Sequence, residues 1–196
     1  MGKVVLDMSM SLDGFVTGPK VGREYPMGVN GGNLHTWLFS TPRDKVDADV
    51  EREMFAQTGA VILGNRTFEV GVDLWEDVPF PVPSFVLTHK SRENLIKKSG
   101  TFTFVTTGIE SALEQAQGAA GDKNIRLMGA EIGRQYLKAG LLDEIQINHV
   151  PILLGEGTRL FEDLKIQGIQ LKKDRVLDSS HATHVRYRVV KEKSYE

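Results

Sequence analysis

The tetrapeptide Gly64-Asn65-Arg66-Thr67 follows the apolar run Ala60-Val61-Ile62-Leu63 and leads into Phe68-Glu69-Val70. A strand leaving through Gly, Arg and Thr into a helix start suits an anion. Glycine lets a ligand approach the backbone, and the first helical amides have no intrahelical acceptor. Arg66 adds a planar, permanently charged fork. The run Arg126-Leu127-Met128-Gly129-Ala130-Glu131-Ile132-Gly133 repeats the pattern of strand, Gly, small residue and helix start. A third apolar run ends in Thr88-His89-Lys90-Ser91, adding hydroxyls and positive charge. Each turn alone can be a mere chain reversal. Their recurrence after successive strands favours one long, multiply charged ligand, because open α/β sheets bind ligands at the carboxyl edge. No G-x-G-x-x-G follows a strand and no Walker A sequence occurs, so neither an ordinary Rossmann fingerprint nor phosphoryl transfer is supported.

The elements that must position these turns alternate. Val4, Leu6, Met8, Met10 and Leu12 interleave with Val5, Asp7, Ser9, Ser11 and Asp13, which predicts a strand over 3–12 ended by the Asp13-Gly14 turn. Its second face is polar, as in a half-exposed strand or in a strand lining a polar site. Residues 14–44 are rich in Gly, Pro and Asn, a length of loop that points to function or mobility, with Trp37, Leu38 and Phe39 anchoring its far end. Val46, Val50 and Met54, with Phe55, predict a helix over 45–58 stopped by Gly59. Strands are expected at 60–63, 84–88, 101–106, 124–128 and 143–150, with helices from about 66, over 109–117 and over 130–138. That order argues for a mostly parallel sheet with helices on its faces. The runs 168–177 and 183–191, joined by Asp178-Ser179-Ser180, predict an antiparallel hairpin at one edge.

Composition narrows the function. The 196 residues are 40% hydrophobic and 26% charged, as for one globular domain over 1–196. The net charge of −2 gives no nucleic-acid footprint. Cysteine is absent, excluding disulfides, thiolate nucleophiles and Cys-ligated zinc, and fitting a reducing cytoplasm. The apolar stretch at the start is too short for a signal peptide, and no run reaches the length of a membrane helix. His181 and His184 would point to opposite faces of a strand, so no metal site is expected.

The order of these motifs resembles the dihydrofolate reductase superfamily, and more closely its branch related to the reductase domain of bacterial riboflavin biosynthesis. The pieces are Ser11-Leu12-Asp13-Gly14-Phe15-Val16, Val61 through Glu69, Val86-Leu87-Thr88, Val105-Thr106-Thr107, Met128-Gly129-Ala130, Leu142-Asp143-Glu144-Ile145 and Leu153-Leu154-Gly155-Glu156-Gly157. The resemblance implies a dihydrofolate-reductase-like α/β fold: a mixed, mostly parallel sheet, flanking helices and a C-terminal antiparallel hairpin. It implies an NADPH-dependent reductase, in a homodimer, acting on a pterin-like or ribosylaminopyrimidine-like small molecule. The 5-amino-6-(5-phosphoribosylamino)uracil reductases of the riboflavin pathway are favoured over true dihydrofolate reductases. Gly64, Asn65, Arg66 and Thr67, with Thr88, His89 and Lys90, would hold the adenosine end, where Arg66, His89 and Lys90 could meet a 2′-phosphate. Gly129, Ala130, Glu131 and Ile132 would take the pyrophosphate, with Thr107 also on the cofactor. The nicotinamide would lie near Ser9 and Asp13, which gives the polar face of the first strand a function.

Asp13, Trp37 and Phe55 are then the candidate substrate contacts, with the 14–44 loop as lid and wall. The helix offers Asp47, Asp49, Glu51 and Glu53, each read first as a surface acid. Glu51 lies four residues before Phe55, the spacing that the family suggests, so Glu51 and Asp13 are the candidate catalytic groups. Partial burial between Met54 and Phe55 would suit Glu51 to proton donation. The zinc deaminase domain that often precedes such reductases needs a Cys-bearing signature that this chain lacks. A non-catalytic nucleotide-binding or regulatory protein on the same fold is the alternative.

Overall fold

The computed structural model describes residues 2–166 and 168–191. The elements in order are β1 (Val4–Ser11), β2 (Phe15–Thr17), a 3₁₀ turn (Gly31–His35), α1 (Thr36–Phe39), α2 (Lys45–Gln57), β3 (Thr58–Gly64), α3 (Asn65–Gly71), β4 (Ser84–Leu87) and β5 (Leu95–Ile96). Then follow β6 (Thr101–Val105), α4 (Ile109–Ala120), β7 (Asn124–Met128), α5 (Ala130–Lys138), β8 (Glu144–Val150), β9 (Thr158–Arg159), β10 (Leu171–Asp178) and β11 (Thr183–Val189). Nine strands form one sheet in the order β10-β11-β8-β1-β7-β3-β4-β6-β5, and β2 pairs with β9 in a small ribbon. From β8 across to β6 the pairings are parallel; β5, and β11 against β8, are antiparallel. The expected edge hairpin is β10 and β11, with a register shift between Lys173 and Arg175.

Period-two alternation sorts the core. In β3, Ala60 and Ile62 turn to the face covered by α4 and α5, where they meet Ala112, Ala116, Ile132 and Tyr136. Val61 and Leu63 turn the other way, to Phe68, Phe80, Val86 and Phe102, joined by Met54 of α2. Being buried on both faces is why this strand reads as an unbroken apolar run rather than an alternation. A third cluster packs Val50 of α2 against Leu34, Trp37, Val150 and Ala182.

Several boundaries differ from expectation. Gly59 does not stop α2: the helix ends at Gln57, and β3 begins at Thr58 with Gly59 inside it. A Cβ on Gly59 would lie 2.6 Å from the Ala120 carbonyl oxygen, so the glycine serves a close crossing under the end of α4. Leu12 lies past the end of β1 and is 72% exposed, so it does not share the core face of Val4 and Leu6. Phe39 is 79% exposed and anchors nothing, whereas Trp37 is buried. The 14–44 segment carries β2, the 3₁₀ turn and α1. Its backbone crosses itself at Gly18, Gly28 and Gly31: a Cβ on Gly18 would strike the Val29 carbonyl, and one on Gly31 would sit 2.8 Å from the Gly18 nitrogen. No helix among the described residues is long and apolar enough to cross a membrane.

Candidate active site

Three glycines close the helix starts at the carboxyl edge of the sheet. Gly64 ends β3 and precedes α3, Gly108 precedes α4 with φ 99°, and Gly129 precedes α5 with φ 103°. None offers a capping side chain, so the leading amides of α4 and α5 keep their donors for something else. The first and third turns touch: a Cβ on Gly129 would reach Thr67 Oγ1 at 2.9 Å, and one on Gly64 would press on Ile132 Cγ1 at 3.3 Å. Tyr136, whose phenol burial pushes up, donates to the Ile109 carbonyl at 2.8 Å and fixes the start of α4 to α5.

These turns line one end of a cavity of about 1620 Å³. A single small-molecule pocket is roughly 300–1,000 Å³, so there is room for two ligands. Gly64, Asn65, Arg66 and Thr67 line the cavity together with Thr88, His89 and Lys90 and with Gly129, Ala130, Glu131 and Ile132. The Glu131 carboxylate turns away to Gln135 and Arg134, which hold it below its ordinary range. Arg92 is committed to Glu69 at 2.6 Å. Arg66 and Lys90 form no ion pair among the described residues.

The other end is bounded by β1, α2 and the 14–44 segment. Ser9 accepts from the Trp37 indole at 2.8 Å, which leaves its own O–H proton to donate. Glu51 lines the wall and is ion-paired with Arg43 at 2.7 Å. Phe55 leans on Phe80, with centroids 4.8 Å apart. Burial holds the His35 imidazole below its ordinary value, toward the neutral form.

Two expected site residues lie elsewhere. Asp13 does not line the cavity. Its carboxylate accepts from Ser11 Oγ at 2.6 Å and from the Leu154 and Gly155 amides at 3.1 and 2.7 Å. The Ser11 hydroxyl leads in pulling it down to about 2. Asp13 staples the turn after β1 to residues 154–155. The Thr107 hydroxyl donates to Ser111 Oγ at 2.7 Å, and its neighbours Thr106 and Gly108 line the cavity instead.

The floor holds groups that were not expected in the site. Asp7 and Arg126 are paired at 2.7 Å, and both are buried. Arg126 also donates to Thr58 Oγ1 at 3.1 Å and lies 5.3 Å from the Phe80 ring centre. Asn148 donates to Asp7 at 2.8 Å, and its carbonyl faces His184 Nδ1 at 2.7 Å. His184 Nε2 lies 2.8 Å from Asp47, which His181 also meets at 3.1 Å. Asp47 is fully buried, which corrects its reading as a surface acid. His181 and His184 converge rather than diverge, because His181 sits in the turn before β11. Among the described residues no group of three or more His, Asp or Glu side chains is placed to hold a metal ion. Part of the signal was in the sequence: Asp7 and Arg126 each stand between apolar neighbours inside a strand, and a buried polar group needs partners.

Thr17 tests whether the cavity fits a further group. Its hydroxyl is the only buried side-chain polar atom among the described residues with no hydrogen-bond partner, and Thr17 lines the cavity. That orphan, the uncapped starts of α4 and α5 and the unpaired Arg66 and Lys90 fit a phosphate-bearing dinucleotide better than a solvated cleft.

A family model described as the RibD C-terminal domain matches residues 2–185. The uncharacterized protein YyaP of Bacillus subtilis (strain 168) is 26% identical over 183 residues, covering 87% of this chain and 85% of that one. A Shewanella sp. PV-4 structure, of a protein provisionally assigned to riboflavin biosynthesis, has a TM-score of 0.73 at 19% identity, over 96% of this chain and 99% of that one. Dihydrofolate reductase from Enterococcus faecalis, complexed with NADP(H) and RAB-propyl, has a TM-score of 0.59 at 14% identity, over 97% and 98%. At such identities the structural likeness speaks to the fold alone.

Proposed function

The chain belongs to the RibD C-terminal domain family, and from that premise we propose that it is an NADPH-dependent reductase of a pterin-like or ribosylaminopyrimidine-like small molecule. One observation carries the reading: a cavity of about 1620 Å³ has glycine helix starts and, among the described residues, unpaired cations at one end and a polar strand face at the other. When bound, NADPH would supply the hydride. Arg66, His89 and Lys90 would hold the 2′-phosphate, the starts of α4 and α5 the pyrophosphate, and Ser9 and Thr17 the nicotinamide end. Trp37, Phe55 and Phe80 would orient the substrate ring and exclude water, and Glu51 would hold the proton for the reduced atom. A cytoplasmic homodimer belongs to the same reading, the location from the missing cysteines and the dimer from the family resemblance. The second reading, a non-catalytic nucleotide-binding protein, has one observation in its favour: the Glu51 carboxylate is already engaged by Arg43.

Fluorescence titration of NADPH and NADH into wild type and Arg66→Ala tests the cofactor end. Loss of one charge-assisted contact, roughly 1.5–3 kcal/mol, should weaken NADPH about tenfold or more. NADH should change by less than about twofold on the same grounds. Equal losses would refute the 2′-phosphate role. Oxidation of NADPH with dihydrofolate or a ribosylaminopyrimidine then separates the readings: tight binding without turnover favours the second, and no binding sinks both.

A further inference from the structure

The two ends of the cavity differ in free charge, and that difference speaks to the substrate. At the end assigned to the cofactor, Arg66 and Lys90 project from the turns after β3 and β4 without carboxylate partners among the described residues. At the other end the charged groups lining the wall are Asp7, Arg126 and Glu51. Arg126 is spent: it is buried, paired with Asp7, bonded to Thr58 and stacked toward Phe80. Arg43 is spent on Glu51 and does not line the cavity. His35 is held toward its neutral form by burial. Lys20 and Arg23 lie exposed on the segment that contributes Val21, and neither lines the cavity. Among the described residues this end therefore presents paired charges with no cation to spare, facing aromatic and thioether surface from Phe55, Phe80 and Met54.

We propose that the substrate taken at this end is an unphosphorylated, neutral planar heterocycle, and that a sugar-phosphate substituent is discriminated against. This deepens the reductase reading and rests on it for which end is which. A phosphate brought here would lose its hydration without gaining a charged donor, since the arginines at this end are committed to Asp7 and Glu51. A ring bearing N–H groups would instead stack on Phe55 and donate to Glu51.

Trp37 and Trp75 both line the cavity and report binding by their own fluorescence. Three probes are titrated into the full chain, with and without saturating NADP⁺: a ribosylaminopyrimidine, its 5′-phosphate, and 7,8-dihydropterin. The phosphate ester should bind at least about tenfold more weakly than the free riboside, as the desolvation of a charge without a partner requires. Phe39→Arg, at an exposed cavity-lining position, should narrow that gap severalfold and leave the dihydropterin unchanged. Equal or tighter binding of the ester by wild type overturns the proposal, as does failure of all three probes to bind. The NADP⁺ titration is read separately. Its failure with ester discrimination intact sinks the reductase reading alone, and its success with the ester preferred sinks only the substrate proposal.

Discussion

At the scale of single residues, the buried Asp7–Arg126 pair decides most. Both side chains are nearly inaccessible, and the carboxylate is the cation's one anionic partner in the floor. Removing one member of such a pair leaves an uncompensated charge. Asp7→Ala is expected to lower the unfolding free energy by about 3–5 kcal/mol, read from urea denaturation, with Asp7→Asn falling in between. A loss below about 1 kcal/mol would mean that Thr58 and the Phe80 ring suffice for the guanidinium. Much of the glycine-turn end of the cavity was legible, because glycine before a helix start leaves its mark in a few consecutive letters. The floor was not. Its members come from β1, β7, β8, β11 and α2, and their meeting depends on strand order, such as the pairing of Asn148 with both Ser9 and His184. Asp13 shows the converse: an acid beside a turn looked catalytic, yet it lies off the cavity with its carboxylate bonded to Ser11, Leu154 and Gly155.

At the scale of elements, the 14–44 segment is held by crossings rather than by a strong helix or strand. Gly18 is the tightest point, since any side chain there would enter the Val29 carbonyl. Gly18→Ala is expected to cost about 1–3 kcal/mol and to open 18–30 to limited proteolysis. Gly22→Ala, with nothing within 4 Å of its added carbon, should stay within about 0.5 kcal/mol of wild type. If both variants behaved alike, the crossing would not be what fixes the segment. The sequence showed a glycine-rich loop but not which glycines meet, since Gly157 joins the same crossing from far along the chain, against Thr17. Helices fared better: α4 and α5 follow their 3.6-residue patterns, whereas the end of α2 was misplaced because Gly59 resembles a stop signal until its neighbour Ala120 is known.

At the scale of the whole molecule, two carboxylates tie distant segments together. Asp13 joins the end of β1 to residues 154–155, and Asp44 joins the start of α2 to Ser180 in the hairpin turn. Both are pulled from the ordinary 3.8 down to about 2, Asp44 chiefly by the Ser180 hydroxyl. A depressed carboxylate stabilises the fold above its unfolded pKa, and that contribution disappears as pH falls through the folded one. The gap in urea midpoint between wild type and Asp44→Asn should therefore be full above about pH 4 and close by about pH 2. A gap that persists unchanged at the acid end would show that the staple is not ionic.

The borders of the nine-stranded sheet have a consequence for how copies of the chain can meet. One border is β5, only Leu95–Ile96 long, and the other is β10, with Lys172, Lys173, Asp174 and Arg175 in succession and a bulge between Lys173 and Arg175. Short, charged and bulged edges resist strand addition. Self-association by extending the sheet is thereby disfavoured, as is fibrillar growth from the native state, and a second copy is left the broad faces of the layers as its meeting ground.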